Sequence, residues 1–152
     1  MTNMEIQNMN TKLQNLRSAL LNWYPFSAGA RALLLGDHTE PLAPLLKKYF
    51  RMVDTAAADG VRYNCIAATD LVERTEDIAS LLQALLHALD DNGVLLLAFR
   101  NRFGLKYLCG GTDGYVRTAF STLQPIGSGE RLYARNEMKH LLFRAGFAPP
   151  RF

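Results

Sequence analysis

The chain lacks most of the features that would tie it directly to a chemistry. It has only two cysteines, Cys65 and Cys109, in 152 residues. They lie far apart, and neither has a cysteine or histidine at ligand spacing, so no zinc or other metal site is expected. Cys65 falls in an apolar stretch with strand character and reads as an ordinary buried thiol. No apolar run approaches the roughly 20 residues of a membrane span, and internal repeats and low-complexity tracts are absent. The polar start, Met1 to Asn10, lacks the apolar centre of a secretory signal, which makes a cytoplasmic location the expectation. Charge of one sign is also scarce: 17 basic residues stand against 14 acidic ones, a net +3. The densest basic group is Lys47, Lys48 and Arg51, with Tyr49 and Phe50 among them. A nucleic-acid patch has this composition, but the preferred reading is the solvated last turn of a helix, where cations suit the macrodipole.

Apolar residues, at 49%, are plentiful enough to build one core at this length. Ile6, Met9, Leu13, Leu16 and Leu20 recur at spacings of three and four, one face of an amphipathic helix. Pro25 ends it, and Trp23, Tyr24 and Phe26 are expected to pack this N-terminal unit, residues 1–26, onto a domain formed by residues 27–152. Arg31 to Gly36 reads as a first strand. A helix opens near Pro41, with Thr39 or Glu40 as its cap, and runs to about Phe50. Arg51 to Asp54 and Tyr63 to Ala68 read as two further strands, separated by too few residues for a helix and another strand. A trimmed sheet is therefore expected.

Thr75-Glu-Asp77 opens the clearest helix. Ile78, Leu81, Leu82, Leu85, Leu86 and Leu89 follow the helical spacing, and Asn92-Gly93 is expected to stop it with a left-handed cap. Val94 to Phe99 is a continuous apolar strand of the kind buried on both faces. Arg100 to Arg131 is a long glycine-rich connection, and such loops are commonly functional or mobile. Asn136 to Ala145 forms a last helix, with Met138, Leu141 and Leu142 inward and Gly146 as cap. A strand would naturally begin at Pro149-Pro-Arg-Phe152, so a fragment or a shortened relative of a longer fold is expected.

This order predicts an α/β, Rossmann-like architecture: a mostly parallel sheet with flanking helices and few strands. It also resembles class I S-adenosylmethionine-dependent methyltransferases. Tyr63-Asn-Cys-Ile-Ala-Ala-Thr-Asp-Leu-Val-Glu73 is similar to that family's fourth strand and the acidic segment after it. Leu89-Asp-Asp-Asn-Gly-Val-Leu-Leu-Leu-Ala98 is similar to its next turn and strand. Asn22-Trp-Tyr-Pro-Phe26, Asn101-Arg-Phe-Gly-Leu-Lys-Tyr107 and Ala145-Gly-Phe147 resemble a bacterial branch often associated with glycosyltransferases and surface polysaccharide synthesis.

The resemblance implies S-adenosylmethionine as cofactor and a small or sugar-linked acceptor. It nominates Gly36, Asp37, His38, Asp54 and Asp70 as cofactor-binding residues and assigns no catalytic residue. Asp54 either meets the ribose hydroxyls or begins a turn. Asp70 and Glu73 either face a ligand or cap the Ile78 helix. Where the family has three alternating glycines in the first loop, this chain has Gly36, His38 and Glu40. Side chains then occupy ligand space, and Glu40 would set a carboxylate near the cofactor's own. A histidine often follows the acidic residue at position 73 in such enzymes, and here it is Arg74. Two functions follow: a methyltransferase-like domain with a degenerate cofactor loop, or a non-catalytic relative serving as a partner-binding or scaffolding module. A trimmed sheet also leaves an edge through which two copies can pair.

Overall fold

Leu33-Leu-Leu35 and Cys65-Ile-Ala-Ala68 place apolar residues at successive positions, which suits strands covered on both faces. The computed structural model describes residues 24–26, 28–37, 39–40, 42–112 and 131–152, and in it these runs form the middle of a four-stranded, all-parallel sheet. The strands are β1 (Gly29–Gly36), β2 (Phe50–Asp54), β3 (Tyr63–Thr69) and β4 (Leu89–Ala98), in the order β2-β1-β3-β4. The helices are α1 (Ala43–Leu46), α2 (Ile78–Ala88), α3 (Leu105–Leu108) and α4 (Arg135–Ala145), with a 3-10 turn at Val72–Arg74. This is a Rossmann-like α/β fold with few strands.

Side chains alternate across the sheet and build two cores. On one face Leu33 and Ile66 meet Ile78, Leu82 and Leu85 of α2 and Met138 and Leu142 of α4. On the other, Ala32, Leu34, Cys65 and Ala67 meet Leu42, Leu46 and Phe50, and Phe26 packs against this second cluster. The Phe26 ring lies 4.9 Å from Tyr49 and 6.0 Å from Phe50. Tyr49 is half-buried and Phe50 buried, so the aromatics of the basic stretch are turned inward while Lys47 and Lys48 remain exposed. Lys47 and Lys48 stand past the end of α1, in the turn that leads into β2, and not in the last turn of a helix.

Residues 55–62 connect β2 to β3 without a helix. Parallel strands usually need a dozen or more residues to cross over. Eight suffice here because the return is short: β2 ends opposite Leu33, and Ala32 already faces Cys65 near the start of β3. Val61 packs against the α2/α4 core on the way.

Three local expectations are corrected. The helix expected from Pro41 to Phe50 is helical only over Ala43–Leu46, and its N-cap, Leu42, has no side-chain cap hydrogen bond; Thr39 instead receives the Leu42 and Ala43 N–H groups at its backbone oxygen. The chain has to turn at residues 47–49 to bring Phe50 into the sheet. Secondly, α2 ends at Ala88, and Asn92-Gly93 belongs to β4. Leu89, buried and paired with Tyr63, pulls the chain into the sheet five residues early, and the surplus forms an irregularity before Cys65 meets Val94. Gly93 is needed there for closeness, since a Cβ would stand 2.8 Å from the Tyr63 oxygen. Thirdly, neither Asp70 nor Glu73 caps α2. Asp77 does, accepting the Ala79 and Ser80 N–H groups at 3.1 Å each. The last helix is as expected, with Met138 and Leu142 buried and Gly146 at φ +101°. The amphipathic stretch 4–21, Trp23 and residues 113–130 of the long connection lie outside the described residues.

Candidate functional site

In an open parallel sheet, ligands bind beyond the carboxyl ends of the strands where the order reverses. Here that point lies between β1 and β3, at Gly36 and Thr69. Gly36 has φ +98°, and a Cβ on it would fall 1.7 Å from the Thr69 oxygen. The first glycine of the loop is therefore required by the contact between two strand ends, whatever binds above them. Two hydrogen bonds close the same contact: Asp37 N–H donates to the Thr69 oxygen at 3.2 Å, and the Thr69 hydroxyl donates to the Asp37 oxygen at 2.6 Å.

Around this seam the fold gathers Asp37, Asp70, Glu73, Arg74 and Arg100. Asp37 pairs with Arg74 at 2.6 Å, joining the end of β1 to the 3-10 turn after β3. Asp70 pairs with Arg100 at 2.7 Å, joining the residue after β3 to the segment just past β4. Asp70 also has φ +51°, a left-handed conformation that costs a non-glycine residue about 1 kcal/mol and that aspartate tolerates better than most. Its N–H donates to the Ala98 oxygen at 3.3 Å.

Glu73 is the one buried charged residue among those described, with 1% of its surface exposed. Its Oε1 accepts the Arg100 N–H at 2.6 Å, and its backbone oxygen accepts the Arg131 N–H at 3.0 Å. Oε2 is buried and accepts no hydrogen bond from the described residues. Burial pushes the Glu73 carboxyl above its ordinary range, against the Arg100 N–H, which stabilises the charged form. Tyr133, buried beside Glu73, is raised by burial as well. Its segment runs parallel to the end of β4 through a bridge to Asn101.

The nominated residues therefore fall into two places. Gly36, Asp37 and Asp70 meet at the β1/β3 seam. Asp54 does not join them: it stands opposite Leu33, three residues short of Gly36, about 10 Å along the strand. Its carboxylate is 3.3 Å from Arg31 Nε. His38 lies outside the described residues, and Glu40 is exposed in the turn before α1. Arg31, Arg100, Arg131 and Tyr133 also belong to the arrangement without carrying a motif in the sequence, and Arg74 stands there only in place of a histidine. Arg31, inside an otherwise apolar strand, was the one signal that an acidic partner must stand nearby.

No protein-family model matches this chain, and no curated protein matches it.

Proposed function

We propose that this chain is a non-catalytic, methyltransferase-like module that serves as a partner-binding or scaffolding domain. The observation that carries the reading is the engagement by an arginine of the same chain of each described carboxylate nominated for the cofactor: Asp37 by Arg74, Asp54 by Arg31 and Asp70 by Arg100. A cofactor using these acids for its hydroxyl or amino groups would have to share them with, or displace, guanidinium groups already at hydrogen-bond or ion-pair distance. Methyl transfer asks the protein chiefly to hold donor and acceptor in line and to exclude water. A domain that does not hold the donor has no route to the reaction. Two glycines of the loop pattern are also replaced, by His38 and Glu40.

The competing reading is an S-adenosylmethionine-dependent enzyme acting on a small or sugar-linked acceptor. Calorimetric titration with S-adenosylmethionine and S-adenosylhomocysteine separates the two. The expected result is no binding heat and no thermal shift at millimolar ligand. Micromolar binding of either compound overturns the non-catalytic reading.

A further inference from the structure

β4 is the longest strand and an outer one, hydrogen-bonded to β3 alone among the described elements. Its apolar run, Val94-Leu-Leu-Leu-Ala98, has the composition of an interior strand, yet Val94 to Leu97 are only half-buried and Ala98 is exposed. The neighbouring run in β3, Cys65 to Ala68, is at most 2% exposed. The difference comes from the lack of a second neighbour among the described elements. Leu95 and Leu97 lean on the α2/α4 core and Val94 and Leu96 on the opposite one, so each face is covered from one side only. The backbone is open in the same way. The Ala98 oxygen and the Arg100 N–H both turn towards the β3 side. By the alternation of a parallel ladder, the N–H and C=O groups of Leu95 and Leu97 point outward.

Sheet edges are normally guarded by charge, proline or brevity. The other outer strand, β2, is guarded: it has five residues, with Arg51 exposed and Asp54 at its end. Val94 to Ala98 contains neither a charge nor a proline. Charge lies instead at the two ends of the stretch, Asp90 and Asp91 before it and Arg100 and Arg102 after it. That arrangement suits only one neighbour. A parallel copy in register would set acid beside acid and base beside base. An antiparallel copy sets the acidic start of one strand beside the basic end of the other, twice over, around a two-fold axis.

We infer that the β4 edge is a self-association surface, and that two copies pair antiparallel through it to make one eight-stranded sheet. A two-fold axis at Leu96 places Leu95 opposite Leu97 and Val94 opposite Ala98, keeping each residue on its own face. The Asp90–Asp91 stretch then runs past the Arg100–Arg102 stretch of the second copy. Asp91 is the accessible member, with its side chain fully exposed and Arg62 4.0 Å away. Asp90 is held by the Asn64 amide at 3.0 Å, and Arg100 by Asp70.

Sedimentation velocity over a concentration series, combined with hydrogen exchange resolved by residue, tests this on the full chain. The expected result is a dimer in which the Leu95 and Leu97 amides become more protected as concentration rises. Asp91→Arg is expected to weaken it by about five- to tenfold, because the reversed charge acts at both symmetry-related ends. In a Cys109→Ser background, Leu96→Cys is expected to cross-link two copies under mild oxidation. A chain that stays monomeric at millimolar concentration overturns the inference, including one whose Leu95 and Leu97 amides are protected by its own chain. A dimer whose Leu95 and Leu97 amides exchange as in the monomer overturns it too.

Discussion

Glu73 ties three segments together through one side chain and its own backbone: the 3-10 turn, the end of β4 and the return at Arg131. Because burial raises its carboxyl above the ordinary 4.5, the folded chain holds a proton that the unfolded chain has released. Its contribution to stability is thus complete below the ordinary glutamate range and is lost as pH rises through the folded value. Glu73→Gln retains an oxygen for the Arg100 N–H and removes the ionisation. Urea unfolding across pH is expected to show a flatter profile for this variant above the ordinary range. Glu73→Ala strands the Arg100 N–H and is expected to cost about 1–3 kcal/mol. A Gln variant with the parent's pH profile would show that the carboxyl does not titrate as its burial dictates.

Between α2 and α4, Leu82 and Met138 are both fully buried in one cluster. Leu82→Ala is expected to cost about 2–5 kcal/mol, as large-to-small changes in cores do. Combined with Met138→Ala it is expected to fall short of the sum by about 0.5 kcal/mol or more, because the two share a cavity. Chemical denaturation of the four proteins of that cycle measures both quantities. Elements of this kind were readable in the chain. Helical spacing located α2 and α4, and continuous apolar runs located β1, β3 and the apolar half of β4. Their boundaries were not, where tertiary contact overrode local preference. Asn92-Gly93 has the chemistry of a helix stop, but pairing of Leu89 with Tyr63 ends the helix earlier. At the β1/β3 seam, Gly36, Asp37 and Asp70 were readable as neighbours, whereas Asp54 was not readable as the outlier it is. The site was not readable in the arginines that answer these acids, because the pairs 31/54, 37/74 and 70/100 are set by the sheet order and not by spacing along the chain.

Across the whole molecule, two cores share one sheet, and Cys65 lies in its central part. Burial pushes its thiol up to about 12, whereas Cys109 is exposed. A thiol reagent is therefore expected to modify Cys109 promptly and Cys65 only when the sheet opens, with a rate that follows added denaturant as global unfolding does. Equal labelling of both thiols under native conditions would mean that β3 opens locally.

The sheet order also has a consequence for a chain emerging from its N-terminus. β1 and β2 are complete by residue 54, and the inner side of β1 waits for residues 63–69. Once β3 docks, its far side waits in turn for β4. The growing front thus moves from β1 to β3 to β4, each new strand shielding the one before it. The strand that arrives last, with the longest apolar run to shield, receives no successor among the described elements.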